Sequence, residues 1–332
     1  MALPVNIREI MTSGTRLREE REKPVRLAVW IELDAPESLV NAVREACVAE
    51  TANAKLRIDV VQPGVQLPLD PLADAVIGLV GSGKVIGGAL ASARDADIPT
   101  VAVVWTHASA EEWGKALGHP TRDVVVDEDP AQLVNKHLGE WLAENLSTKR
   151  LALANNFPFM RRAVSVESIQ ATSMQNGAIG AVPFLPGADM PLMTANQMKM
   201  VLQIAAAYGQ PLSGKRVREL AGVLGGAFAL RAIARALVQF VPGFGWAISG
   251  AIGYSGTMAM GYGALEYFEA GGTAEGLAEK MRETRERLRR EEREAPIMVD
   301  AVAVEDVVEP APPAELPAVS MGDASASGAS PQ

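Results

Sequence analysis

The feature that most constrains the fold of this chain is an alternation of apolar runs and helical stretches across residues 25–147. The apolar runs are nearly continuous, which is typical of strands buried on both faces of a parallel sheet. The predicted strands are Leu27–Ile31, Leu56–Val61, Ala75–Val80, Thr100–Trp105 and Val124–Val126. The predicted helices are Glu37–Glu50, Val85–Ala96, Ala110–Leu117 and Ala131–Asn145. The sequence therefore predicts an α/β domain over residues 25–147.

A glycine-rich loop after the third predicted strand has the spacing of a phosphate-binding loop. Gly78, Gly83 and Lys84 match the pattern G-x-x-x-x-G-K, but Val85 stands where a Ser or Thr hydroxyl would bind Mg²⁺. We therefore expect a strand-to-helix turn that binds no cofactor, with Lys84 solvated, although a stray anion can still bind at a helix N-terminus. The alternative is a divergent nucleotide hydrolase that uses Gly78–Lys84.

The α/β region resembles, in its pattern, an Era-like GTPase domain without the residues that bind nucleotide. In that comparison the phosphate loop would follow the first strand, where this chain instead places Glu32, Asp34 and Glu37. Each like-charge contact with a phosphate would cost about 1–4 kcal/mol at about 4 Å. Val61 replaces the family's metal-linked Asp, and Trp105–Ala108 replaces its guanine-reading segment. The resemblance implies a degenerate P-loop-GTPase-like parallel sheet without a cofactor.

From residue 148 the chain becomes helical and apolar, with interruptions by Gly and Pro. Thr194 and Gln197 have the spacing of a capping box, which predicts that a helix begins at Thr194 and continues through Tyr208. Asp189 and Gln197 are polar residues within this apolar region. They could form a polar site, but helix capping is the interpretation we favour.

A further predicted helix, Leu220–Val241, carries Arg231 and Arg235 on one face. In a soluble bundle this face would contact water. In a bilayer each Arg would cost roughly 2.5–3.5 kcal/mol, so both would face a partner, a lipid phosphate or a wet interior.

An uncharged run follows, and its stretch Gly243–Leu265 is long enough to cross a bilayer as a helix. Small residues recur there at every fourth position and form a groove that another helix can approach closely. These residues are Gly245, Ser249, Gly253, Thr257 and Gly261. We expect them to form a helix-association face in a membrane. A tightly packed soluble core is the alternative.

Segments of this helical half resemble the YcjF-like family, a bacterial domain of unknown function. The resemblance rests on Pro186–Pro191, Gln197–Gly209, Arg218–Leu220, Pro242–Gly245 and Gly256–Phe268. Such domains commonly follow Era-like GTPase domains and are generally predicted to be membrane-integral. The family has no named catalytic residues, so the resemblance implies membrane association beside a GTPase-like module and no catalytic site.

The segments before and after the two predicted domains differ from them in charge and composition. Residues 1–24 form an extension without the apolar core of a secretory signal, and residues 274–294 form a predicted helix of mixed charge. Residues 295–332 contain six acidic residues and no Lys or Arg, which predicts a disordered acidic tail. The predicted domains are therefore residues 25–147 and 148–273.

Composition narrows the function further. The single Cys excludes a disulfide framework and a Cys-based zinc site, and the net charge of −9 argues against a nucleic-acid binder. No set of catalytic or metal-ligating residues stands out. We expect a non-catalytic scaffold or interaction protein on the cytoplasmic side of the membrane, with lipid and a second copy or a GTPase as partners. A fully soluble cytoplasmic scaffold is a further alternative.

Overall fold

The computed structural model describes residues 15–65, 67–181, 189–210 and 245–272. These residues belong to one compact unit that combines a five-stranded parallel sheet with helices. The predicted combination of a parallel α/β sheet with a helical region is therefore confirmed.

The sheet contains all five predicted strands. The strands are β1 (Val25–Glu32), β2 (Ala54–Val61), β3 (Ala75–Leu79), β4 (Thr100–Trp105) and β5 (Val124–Asp127). Their order is β2-β1-β3-β4-β5, and every neighbouring pair is parallel. All of β3 and all of β4 except Trp105 are buried, which explains why their apolar runs are uninterrupted.

Four helical segments follow the strands. They are α1 (Glu37–Ala46), α2 (Ile86–Asp95), α3 (Ala110–Leu117) and α4, which runs through Pro130–Gln132, a π-helical stretch Leu133–Leu138, and Gly139–Asn145. Every predicted helix of this region is present, although α1 ends before the predicted residue Glu50. Ser109 and Glu112 form a capping box that starts α3, a local signal in addition to the apolar pattern that predicted this helix.

The helical region contains α5 (Arg150–Asn156), α6 (Met160–Ala181), α7 (Asp189–Ala207) and α8 (Gly245–Glu269). Because α7 begins at Asp189, Thr194 lies inside the helix, and the prediction that it caps the helix start is wrong. In the described part of the chain, no helix combines the length and the apolar character needed to cross a membrane.

The same apolar core continues from the sheet into the helical region. On one face of the sheet, Leu27 and Val103 share a buried cluster with Leu142, Phe157 and Leu202. A second buried cluster fills the opposite face around Trp30, Leu90 and Val104. A third cluster, which includes Ile169, Val201 and Phe268, joins α6, α7 and α8. Residues on both sides of the predicted boundary at 147/148 therefore contribute to one core.

Several predictions concern residues outside the described ranges. These are the helix Leu220–Val241 with Arg231 and Arg235, the charged segment 274–294 and the acidic tail 295–332.

Candidate functional site

The candidate site lies where the order of the strands reverses. After β1 the chain moves to β2 on one side, and after β3 it moves to β4 on the other side. In open α/β sheets, ligands bind beyond the carboxyl ends of the strands at such a reversal. The groups found there are Glu32 at the end of β1, Asp34 just beyond it, and the glycine-rich loop 80–85 between β3 and α2.

The Glu32 carboxylate accepts hydrogen bonds from four backbone N–H groups of this loop and of the start of α2. Its Oε2 accepts from Gly81 at 2.9 Å and from Gly83 at 2.7 Å. Its Oε1 accepts from Val85 at 2.8 Å and from Ile86 at 3.4 Å. Glu32 is only 2% exposed, so its carboxylate has lost its contact with water. The four N–H groups supply the hydrogen bonds that water would otherwise donate. The helix dipole of α2 adds partial positive charge at the same point.

A second carboxylate closes the outer side of the loop. Asp34 Oδ2 accepts a hydrogen bond from the backbone N–H of Ser82 at 3.2 Å. Hydrogen bonds from the Ser82 hydroxyl and backbone N–H hold the pKa of Asp34 below its ordinary value. The loop approaches this segment so closely that a Cβ on Gly81 would lie 2.6 Å from the backbone carbonyl carbon of Asp34. Gly81 is therefore required by the contact between the two segments.

The two glycines that match a phosphate-binding loop have structural roles here. Gly78 lies in β3, where a Cβ would meet the Leu90 side chain of α2 at 2.7 Å. Gly83 has φ +75°, a left-handed conformation that glycine adopts at low cost, and it forms the turn that aims its N–H at Glu32. Lys84 is exposed, as predicted.

This arrangement is an anion site that the protein's own carboxylate occupies. A phosphate at this position would need the same N–H groups and would meet the negative charges of Glu32 and Asp34. Within the described ranges, no cluster of three or more His, Cys, Asp or Glu side chains could hold a metal ion.

In the sequence, the two parts of this site are separate features. Carboxylates follow the first strand and a glycine-rich loop follows the third, and this pattern predicts only that the carboxylates repel phosphate. Because β1 and β3 are neighbours in the sheet, the carboxylates and the loop meet. The available signal was the combination of a buried strand ending in Glu with a neighbouring strand followed by glycines.

A second polar cluster lies among the helices and includes the predicted residue Gln197. Gln197 Nε2 and Asn176 Nδ2 donate to the Thr257 hydroxyl oxygen at 2.8 and 3.0 Å. The Thr257 hydroxyl in turn donates to the Gly253 carbonyl at 2.7 Å, and Asn196 donates to Asn176 Oδ1 at 3.0 Å. Asn176, Gln197 and Thr257 are all buried, so Gln197 links α7 to α8 and does not cap a helix.

Two glycines of the predicted helix-association face contact helices of the same chain. A Cβ on Gly253 would lie 2.6 Å from the Met193 side chain and 2.7 Å from the Asn176 carbonyl. A Cβ on Gly261 would lie within 2.8 Å of the Ile169 side chain. Gly245 and Ser249 belong to the same helix, and Asp189 begins α7. The close approach allowed by Gly253 and Gly261 is therefore made between α8 and its neighbours α6 and α7.

No family model matches the chain, and neither a curated protein nor a solved structure matches it. The fold and the site define a class in physical terms. This is a protein with five parallel strands whose glycine-rich loop binds its own carboxylate at the position where such sheets receive ligands.

Proposed function

We propose that this chain is a non-catalytic interaction protein in which a pseudo-GTPase-like α/β domain is joined to a membrane-associated helical domain. The proposal of a pseudo-GTPase-like domain rests on one observation. The Glu32 carboxylate accepts hydrogen bonds from the backbone N–H groups of Gly81, Gly83, Val85 and Ile86.

Displacing Glu32 would be costly for a nucleotide. A hydrogen bond to a charged acceptor contributes about 1.5–3 kcal/mol, and Glu32 receives several from a loop that surrounds it. A phosphate would have to replace these bonds and remain close to Asp34, whose charge opposes it. Val85 supplies a backbone N–H to Glu32 and has no hydroxyl for Mg²⁺, so the chain offers little compensation.

The helical domain supports a role at a membrane surface through its exposed apolar side chains. Met174, Leu192 and Tyr254 are 68%, 50% and 41% exposed and belong to α6, α7 and α8. Each lies within two residues of Asn176, Met193 or Gly253, which contact one another. The three side chains therefore lie at about the same level along their helices. They are the exposed apolar groups through which the helical domain would contact lipid or a partner.

Isothermal titration calorimetry tests the pseudo-GTPase half. We expect no heat of specific binding with GTP or ATP, with or without Mg²⁺. Specific micromolar binding that is lost in Lys84→Ala would instead support the divergent nucleotide hydrolase. Lys115→Ala is the matched control, because it removes an exposed lysine that is paired with Glu111 of its own helix.

Liposome flotation tests the membrane half. We expect the full chain to float with vesicles of bacterial lipid and Leu192→Glu with Tyr254→Glu to float less. Leu33→Glu with Leu72→Glu is the matched control, because it adds the same two charges at residues that are 76% and 62% exposed outside the helical domain. Recovery of the unaltered chain in the lipid-free fraction would favour the alternative of a fully soluble scaffold.

A further inference from the structure

β2 lies at one end of the sheet, and no described strand covers its outer edge. β2 is the first strand in the order, and among the described strands it pairs only with β1. Ile58 and Val60 are 53% and 45% exposed. They alternate along the strand with Arg57, Asp59 and the buried Val61. An exposed strand edge of this kind is a template for pairing with another strand.

The charges on the other face of β2 are arranged as a short opposite-sign pair. Arg57 and Asp59 are two residues apart, and the Arg57 Nε lies 2.7 Å from Asp59 Oδ2. Side chains two residues apart in a strand point to the same side of the sheet. The charged pair and the apolar residues therefore occupy opposite faces of one edge strand.

A second copy of β2 can pair with this edge about a two-fold axis perpendicular to the sheet. Rotation about this axis leaves each side chain on its own face of the sheet, and residues that pair in antiparallel strands lie on the same face. The axis must therefore lie beside one residue of β2, which is then paired with the same residue of the other copy. An axis at Arg57 would place Arg57 opposite itself, and an axis at Asp59 would place Asp59 opposite itself. Like charges directly opposite each other destabilise a strand pair. The register at Arg57 also sets Lys55 opposite Asp59, but it keeps the Arg57 contact, whereas the register at Ile58 has opposite charges facing each other and no like-charge contact.

The axis at Ile58 satisfies both faces. Arg57 of each copy then lies opposite Asp59 of the other copy, so two ion pairs replace the like-charge contacts. On the apolar face, Ile58 meets Ile58, and Leu56 meets Val60 in each direction. Charge complementarity and apolar matching therefore select the same register.

We propose that the chain forms a symmetric dimer in which two β2 strands pair antiparallel about Ile58 and extend the sheet across both copies. The occupant of this edge is thus a second copy of the same chain. This interface does not involve the loop around Glu32, so its test is independent of the nucleotide question.

Light scattering coupled to gel filtration, over a micromolar concentration series, measures the dimer directly. We expect the full chain to approach twice its monomer mass as concentration rises. Arg57→Asp and Asp59→Arg should each remain monomeric, because each creates like-charge pairs across the axis. The double variant Arg57→Asp/Asp59→Arg restores both pairs and should dimerise again. Circular dichroism shows whether each variant is folded.

Cysteine cross-linking tests the register. Ile58→Cys places two thiols at the axis, where antiparallel Cα atoms lie about 4.5–5.5 Å apart, within disulfide reach. Lys55→Cys is the matched control, because the two exposed residues would lie six positions apart along the pair, about 20 Å. The native Cys47 is 3% exposed and should not contribute. We expect oxidation to cross-link the Ile58→Cys chain alone.

Three results would overturn the proposal. The first is a full chain that stays monomeric throughout the concentration series. The second is a dimer that persists in folded Arg57→Asp, which would place the interface elsewhere. The third is equal cross-linking at positions 55 and 58, which would exclude the register about Ile58.

Discussion

Replacing Glu32 with Gln tests whether the carboxylate holds the glycine-rich loop. Gln has the same shape, but one of its two terminal groups is an NH₂ that cannot accept a hydrogen bond. Either orientation points this group at two backbone N–H donors, because each Glu32 oxygen accepts from two residues. Two bonds to a charged acceptor, about 1.5–3 kcal/mol each, are therefore lost.

The net loss is smaller than that sum, because the variant no longer buries a charge. We expect the free energy of unfolding to fall by about 2–4 kcal/mol, which corresponds to a decrease in Tm of roughly 5–10 °C for a unit of this size. Urea and thermal denaturation followed by circular dichroism measure both quantities. Glu37→Gln is the control, since Glu37 is exposed in the first turn of α1 and should lose less than about 1 kcal/mol.

A second measurement separates loss of the carboxylate from general damage. Glu32→Ala removes the internal anion and leaves the loop N–H groups free to bind another one. Added sulfate should therefore raise the Tm of folded Glu32→Ala more than that of the unaltered chain. Equal losses in Glu32→Gln and Glu37→Gln, together with no extra sulfate effect in Glu32→Ala, would refute the assignment of an internally occupied anion site.

Three further predictions concern the packing of α2, the polar cluster among the helices and a buried histidine. Gly87→Ala should destabilise the protein, because its Cβ would meet the Leu117 carbonyl oxygen at 2.9 Å, whereas Gly88→Ala meets nothing within 4 Å and should stabilise by about 0.5–1 kcal/mol. Urea denaturation of this pair should give opposite signs. Thr257→Val leaves Asn176 and Gln197 without their shared acceptor and should lower the free energy of unfolding by about 2–4 kcal/mol. Ser255→Ala, on the exposed face of the same helix, is the control and should be nearly neutral in the same denaturation assay. Burial lowers the pKa of His119, whose Nε2 donates to the Thr100 carbonyl. The contribution of His119 to stability should therefore be constant above about pH 6.5 and fall below it, where the unfolded chain takes up a proton that the folded histidine does not. Thermal denaturation over a pH series should show a shallower decline for His119→Gln, and identical profiles would contradict this assignment.

Most of the secondary structure could be predicted because it depends on local patterns. The continuous apolar runs that became β3 and β4 are buried on both sides of the sheet, and the order of strands and helices follows the sequence alternation. The predicted stop of α7 is also local, since Gly209 adopts the left-handed φ of +70° that ends helices.

The start of α7 shows where local patterns are insufficient. Thr194 and Gln197 have capping-box spacing, but the helix continues back to Asp189, and Gln197 instead donates to Thr257 from a distant helix. Gln197 is buried in the bundle, where an unpaired amide would be costly, and its bond to Thr257 satisfies it. Spacing alone contains no information about which distant residue is near.

The sequence by itself determined the strands and helices of the sheet region and the carboxylates at the end of the first strand. It also determined that Val85 offers no hydroxyl to bind magnesium. Only the tertiary structure decided that Glu32 and the loop at Gly81–Val85 meet. The physical reason is that strand order, which sets neighbours at the carboxyl edge, arises from long-range packing and is not encoded in any local period. That neighbour relation makes Glu32 the ligand of its own glycine-rich loop.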